Sequence, residues 1–563
     1  MKDKKDVNND AGKTFRFNKK RSMYQYGALF VGLLLISASL GLALTRDFST
    51  DGSGNLVDSS GGLIAAYSGS NVTYYSATGD NIIEAFKDLN NDGGTVYLPD
   101  GNFYPTETIY MQTDQALIGN GAGSTYIISR VNDGSSIIQV NSTNQVGGSI
   151  KNLRLSSDSG YDNGDGIRLE GSNYMFIIDQ VSFRNVDGWS IRSNDTLVTE
   201  ITNCKFALTG SGAINSTWGT SIDIHSNVFE LYDGFGIHLD GTNGCWIHEN
   251  WFENGPENTA THVKIQSYNR DTYYTTINNN RFADGGEYSI YLEQTGGNSI
   301  RWINIAENTI NNPVLIHAEQ TNIESNVFRG AGPYYTINVS LSNNKIINNN
   351  FYYLNSVPNI YIDSGGNCFG TVVRGNRFDG AYGILGHTCL DSIFEDNFFR
   401  DCTKPLQLNN THESLISGNR ISGEGDLMVG LYNSFHNTIQ NNYFECNENA
   451  TMLYGNSDEN SILGNTFRDC ITAVRIPYSS MDDNVIKDNI LIDGTIEDSG
   501  TDTIILNNKN YNNNTLFPFY EQDTAPSIND NSTAYWYDTD DDYMYQVVNT
   551  YGDVFYVNMT TSI

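Results

Sequence analysis

The sequence predicts an all-β solenoid, a parallel β-helix in which each coil of chain lies on the one before, and three observations carry that prediction. The tripeptide Asn-x-(Phe/Ile/Leu) recurs twelve times from Asn227 to Asn489, as in Asn250-Trp-Phe252, Asn326-Val-Phe328, Asn397-Phe-Phe399 and Asn465-Thr-Phe467, with most intervals close to 23 residues. About twelve residues before each Asn stands a short apolar-x-apolar segment, such as Ile237-His-Leu239, Ile360-Tyr-Ile362, Leu406-Gln-Leu408 or Val474-Arg-Ile476. Its period of two is that of a strand, and so short a unit buries its apolar face only by stacking on copies of itself. Composition is the third observation: 71 Asn, 54 Gly and 35 Tyr among 563 residues, with 10 Pro and 17% charged, is neither a helical nor a disordered balance. Leucine-rich repeats share the period but need dense Leu, which is missing. The net charge of −33 argues against nucleic acid as a partner, because phosphate contact needs basic patches.

The elements follow in order. Residues 1–25 are basic, with a net charge of +5, and residues 26–44 (Tyr26 to Leu44) form 19 residues without a charge. About 20 apolar residues cross a bilayer as a helix, and the basic flank stays cytoplasmic. This predicts a single-pass signal anchor with the bulk outside the cell or on a virion surface; a cleaved secretion signal gives the same placement. Residues 45–62 read as a linker and 63–506 as the coil. Asp80 to Leu89 reads as a short amphipathic helix, capped by Asp80, that covers the first coil's open edge. Each repeat Asn is expected inward at a bend, in left-handed backbone, with its amide bonded to the next coil. Earlier coils keep the apolar position without the Asn (Leu155, Phe183, Phe206), giving about fifteen coils and a rod ~70 Å long. Residues 507–515 are Asn-rich and read as a linker, and 516–563 as a small β module.

Cys368 and Cys389 each lie eight residues before a repeat Asn, so adjacent coils bring them within disulfide reach; two packed thiols is the alternative. Ten sequons permit glycosylation without proving it: Asn71, Asn141, Asn194, Asn215, Asn338, Asn409, Asn449, Asn513, Asn531 and Asn558. No cofactor is required by any motif. Asp538, Asp540, Asp541 and Asp542 offer Ca²⁺ oxygen ligands, but their spacing is not an EF-hand loop and a solvated acidic turn explains them better.

The helix at 80–89, followed by Gly93-Gly-Thr-Val-Tyr-Leu-Pro-Asp-Gly-Asn-Phe-Tyr104 and Leu117-Ile-Gly-Asn-Gly-Ala-Gly-Ser-Thr125, resembles the opening of the pectate-lyase-like superfamily of right-handed parallel β-helices. The resemblance covers residues 63 to 500. It implies a right-handed coil and one of several activities: polysaccharide lyase, glycoside hydrolase, uronate epimerase or viral tailspike, the last with homotrimers. The activity signatures are missing. The polygalacturonase-like set of N-T-D, D-D, G-H-G and R-I-K is absent as a set, the epimerase-like D-P-H is absent, and Cys245-Trp-Ile-His-Glu-Asn250 matches the W-I-D-H of some pectate lyases with the Asp replaced. The segment from Tyr535-Trp-Tyr-Asp-Thr-Asp540 resembles a short β module found near the ends of viral fibre and surface proteins.

Stacking turns the outward residues of the apolar-x-apolar strands into ladders. One is expected to read Arg168, Arg192, Asn215, His238, Lys264, Tyr291, His317, Asn338, Tyr361; the next, two residues on, includes Glu170, Asp240, Gln266, Glu293, Glu319, Asp363 and His387. His238, Asp240, Lys264, Tyr291, Glu293, His317 and Glu319 are the candidate catalytic residues, with Glu293 and Glu319 expected ~5 Å apart. Carboxylates at that spacing serve a retaining glycosidase, whereas Tyr or Lys with His serves proton abstraction beside a uronate. Arg168, Arg192, Tyr361 and Asp363 are candidate substrate contacts. The plain alternative is a polar face needed only for solubility. The function expected is binding, with or without cleavage, of a polysaccharide or cell-surface glycan; a non-catalytic spike or adhesin is the rival.

Overall fold

The computed structural model describes residues 63–511, apart from 69–70, 90–92, 113, 142–145, 172, 254–259, 284, 331, 353–356 and 381, together with four strands between 519 and 558. The expected anchor at 26–44, its flanks, Asn513, Asn531 and Asp540 to Asp542 lie outside the described residues. Among the described residues no helix is long and apolar enough to cross a membrane.

Residues 94–511 wind into a parallel β-helix of the right-handed type. Each coil contributes three short strands because a polar or left-handed residue interrupts the apolar alternation at every corner. Seventeen parallel strands, from Ile109–Gln112 to Thr495–Asp498, form one ladder. Two other ladders line the remaining sides and are joined where Ser149–Ser157 and Ile177–Val186 run across both. Seventeen coils exceed the fifteen expected and span about 80 Å.

The interior is built in columns. Phe183, Phe206, Phe229, Phe252 and Phe282 stack at centroid spacings of 4.5–5.0 Å, and Phe328, Phe351, Phe378 and Phe399 repeat the device further on. Beside them runs the Asn ladder. Asn349 shows its logic: its Oδ1 accepts from the backbone N–H (2.9 Å) and the Nδ2 (3.0 Å) of Asn326, while its own Nδ2 donates to Ile323 O and to Asn376 Oδ1. All twelve repeat Asn are buried. One side chain thus satisfies polar groups on the coils to either side, which a buried bend demands. The expectation of left-handed backbone at the Asn itself is corrected. Positive φ falls on the residue just before it, as at Ser226, Glu249, Asn279, Asn348, Asp396, Asn441 and Asp488, or on Gly375, Gly418 and Gly464.

The N-terminal end is covered by the helix Gly79–Leu89, whose Ile82, Ala85, Phe86 and Leu89 are buried. Its cap is Thr78, whose Oγ1 accepts the Asn81 N–H at 3.3 Å. Asp80 instead accepts from the N–H and hydroxyl of Thr106, fastening the helix to the first coil. An antiparallel hairpin, Leu63–Ser68 with Asn71–Ser76, precedes it. At the far end the coil outlasts the expected boundary at 506: Lys509–Tyr511 pairs with Ile490–Ile492, and Asn508 takes the next place in the Asn ladder. Residues 507–511 therefore belong to the coil. The four strands Phe519–Glu521, Ser532–Asp538, Tyr543–Thr550 and Asp553–Asn558 form a separate sheet.

Cys368 and Cys389 are in register, as expected, but both are thiols. Side chains at one ladder position project in parallel, so their Cβ atoms keep the ~4.8 Å strand spacing rather than converge to the ~3.8 Å a disulfide prefers. Their sulfurs lean on the carbonyls of Leu341 and His387.

Candidate functional site

The seventeen-strand ladder presents the expected outward rows. Arg168, Arg192, Asn215, His238, Lys264 and Tyr291 stack in register, and Glu170, Asn194, Thr217, Asp240, Gln266 and Glu293 stack beside them. The next coil departs from expectation. Leu315 pairs with Tyr291, and His317 pairs with Glu293. His317 thus belongs to the second row, and Glu319 falls past the strand's end, paired with Arg301 at 2.9 Å. The expected Glu293–Glu319 stack does not form.

Glu293 is the centre of what does form. It accepts from Lys264 Nζ at 2.8 Å and from the Tyr291 hydroxyl at 2.9 Å. Burial works to raise its carboxyl, but the hydrogen bonds from Lys264 and Tyr291, with the charges of Lys264 and His317, outweigh it and hold the group below the usual range. The Tyr291 phenol moves the other way, raised by burial first and then by the hydrogen bond to Glu293. Lys264 Nζ also lies 5.4 Å and 5.2 Å from the Phe235 and Tyr291 ring centroids. His238 packs against Phe235 (5.0 Å) and Trp189 (6.0 Å), rings that also stack on each other, and burial, then the Lys264 charge, lower it to about 4. At neutral pH the face therefore holds the Glu293 carboxylate, a neutral imidazole and a neutral phenol.

The other expected residues are engaged elsewhere. Asp240, 4% exposed, accepts from the Tyr268 N–H (3.0 Å), the Asn269 N–H (3.4 Å) and Asn269 Nδ2 (2.6 Å), so it ties down the turn after the next strand. Arg168 pairs with Glu170, and Arg192 stands 3.8 Å from Asp165. Tyr361 donates to Asp363 at 2.8 Å and is pushed up to about 12 by burial first and that bond second. His317 shares a 2.8 Å hydrogen bond with Ser340. Of the sequons, Asn215 and Asn338 sit in the first row itself.

A column of aromatic rings beside the first row escaped the sequence reading. Trp189, Phe235 and Tyr288 share one ladder position, and Tyr335 stacks on Tyr361 at 6.3 Å. Three of these rings precede an outward residue by three positions (Trp189 before Arg192, Phe235 before His238, Tyr288 before Tyr291), a spacing legible in the sequence. A second cluster lies on another sheet, where His225 and His248 stack at 4.8 Å and meet Glu200 and Asp223 at 3.2 and 3.0 Å.

Comparison with known proteins gives one family match: the model of the periplasmic copper-binding protein NosD fits residues 283–453 and 355–517, less than half of the chain. A curated relative, the probable ABC transporter binding protein NosD of Stutzerimonas stutzeri, is 40% identical over 98 residues, 17% of this chain. The chain spans about a fifth of that relative's length. Among solved structures, the DFA-IIIase of Arthrobacter chlorophenolicus A6 without its lid is 15% identical (TM-score 0.41, 57% of this chain, 91% of that one). The Dettilon tailspike is 13% identical (TM-score 0.42, 56% and 62%), and the bacteriophage Phi29 gene product 12 N-terminal fragment 12% identical (TM-score 0.43, 85% and 94%). Superpositions this loose say nothing of function.

The family description names copper, and the donors among the described residues do not assemble a site that fits it. Among the described residues no three His, Cys, Asp or Glu side chains converge as metal ligands. In the matched stretch two of the buried thiols are held protonated: burial pushes Cys402 up to about 12, and Cys446 is raised by its hydrogen bond to Cys470 first and burial second, so neither offers the thiolate form in which a cysteine binds metal.

Proposed function

We propose that this protein is a saccharide-recognition rod, binding a glycan chain along the outward face centred on Lys264, Tyr291 and Glu293. The observation that carries the reading is the Glu293 carboxylate, fixed by Lys264 and Tyr291 inside a column of half-buried rings. Aromatic faces stack on the C–H faces of sugars, and a small number of fixed donors and acceptors orients the hydroxyls. Extended saccharides suit a site that repeats coil by coil.

The same geometry favours binding over hydrolysis. Glycosidases need two facing carboxyls, one of them protonated. Glu293 is flanked in its row by Gln266 and His317, and its pKa is lowered, not raised. The expected anchor at 26–44 would hold the rod outside a membrane, on a cell or virion, and a homotrimer is the assembly that fits a spike. Glycosylation at Asn215 or Asn338 would cover the face, so the reading requires both to be bare.

A glycan array probed with the full chain tests it. We expect hits that weaken about tenfold in Lys264→Ala or Tyr291→Ala, the loss of one or two oriented contacts. No new reducing ends or unsaturated uronate should appear. Product that vanishes in Glu293→Gln would make the protein an enzyme and overturn the binding-only reading.

A further inference from the structure

A different side of the rod carries a ladder with an unusual charge pattern. From Lys205 to Lys509 the register runs through one outward position per coil, and not one of these positions is acidic. The chain as a whole has 65 Asp and Glu against 32 Lys and Arg. Cations and rings meet at two places along the ladder: Arg281 lies over Trp251 at 4.4 Å, and four coils on, Arg377, Phe398, Arg420 and Tyr443 follow one another in alternation. Arg420 is exposed and held between two rings, 5.8 Å from the Phe398 centroid and 5.5 Å from that of Tyr443. Among the described residues no carboxylate lies within ion-pair distance of Arg281 or Arg420, whereas Arg377 meets Asp379 through Nε at 2.9 Å.

We infer that the Arg377–Phe398–Arg420–Tyr443 ladder is a second binding surface, for a linear acidic polysaccharide with a carboxylate on alternate sugars. A guanidinium pre-oriented by rings keeps its planar fork free for a carboxylate, and little side-chain entropy remains to be lost. Arg377 and Arg420 stand two coils apart with a ring on the coil after each, so over this four-coil stretch charge meets charge where stacking meets a neutral sugar. A pyranose in an extended chain advances by about one strand spacing, which keeps the two periods in step. A flexible phosphate polymer has no such match in spacing; the acidic body repels both polyanions alike, so the match at the ladder is what selects the saccharide. The surface lies on a different sheet from Lys264 and Glu293, so it stands or falls independently of the proposed function.

The test is binding of hyaluronate oligosaccharides to the full chain by calorimetry, with dextran and single-stranded DNA as controls and sedimentation to read self-association. Expected are binding of hyaluronate that weakens with added salt, none of dextran, and about a tenfold loss in Arg420→Ala with an intermediate loss in Arg420→Lys, whose point charge lacks the fork. Arg420 is exposed, so both variants fold. Absent hyaluronate binding, retention in Arg420→Ala, DNA bound at least as tightly, or self-association that Arg420→Ala abolishes would each overturn it; binding lost only in Lys264→Ala would move the polyanion to the other face.

Discussion

Glu293 stays ionised because two donors reach it, and each is separable. In Tyr291→Phe one donor is gone, so the Glu293 carboxyl should titrate at higher pH than in the wild type, read by carbon NMR of the labelled side chain; an unchanged midpoint would show that Lys264 alone sets it. The histidines give a second test with a definite sign. His238 is lowered to about 4, and His262, fully buried against Tyr232 and the Ala283 carbonyl, also to about 4. Between about pH 6.5 and 4 the unfolded chain binds protons there that the folded chain refuses. Stability therefore rises with pH across that window and is lost as pH falls. We expect a lower melting temperature at pH 4.5 than at pH 7, with a smaller drop in His238→Gln; an equal drop would remove His238 from the effect. At this scale the sequence misled at one coil. Val314-Leu-Ile316 and Ile316-His-Ala318 both alternate, and the inward residue could be chosen either way because Leu315, though outward, is apolar. The choice of the second pattern moved His317 and Glu319 by one ladder position, and no local signal distinguishes them.

The Asn ladder is the element whose cost of failure is largest. Asn349→Ala removes the acceptor for two donors of Asn326 and the donor to Ile323 and Asn376, all buried. We expect a loss of about 3–5 kcal/mol by denaturant titration, from several buried groups at about 1–3 kcal/mol each. Asn508→Ala, at the last described coil, should cost much less, because its amide is half-buried and among the described residues no further repeat Asn follows. Asn441, at φ 55° before Asn442, should resist a branched substitute: Asn441→Val ought to cost about 1–2 kcal/mol while Asn441→Gly is tolerated, as Gly418 and Gly464 already show. The ladder was legible because twelve copies fix its period; the left-handed corner was misassigned by one residue because Asn suits both places. Thr78 was passed over as the helix cap for Asp80, since either side chain caps well and only the contact with Thr106 decides.

For the whole molecule, the fold class was readable because repetition averages out local ambiguity, and the opening motif placed the first coils and their covering helix. The face proposed to bind saccharide was half readable. Its charged members stand at the x positions, but Trp189, Phe235 and Tyr288 lie three residues upstream, outside the apolar-x-apolar frame. Loop-mediated uses of a side chain, such as Asp240 clasping Tyr268 and Asn269, depend on turns of irregular length, and no periodicity announces them. The most direct test of recognition along the Lys264 face is an experimental structure of the full chain with a saccharide selected on the array. Sugar density lying along the coils against Phe235, Tyr288 and Tyr291, with a hydroxyl on the Lys264–Glu293 pair, is the expected result; density confined to other faces, leaving those rings bare, would contradict it.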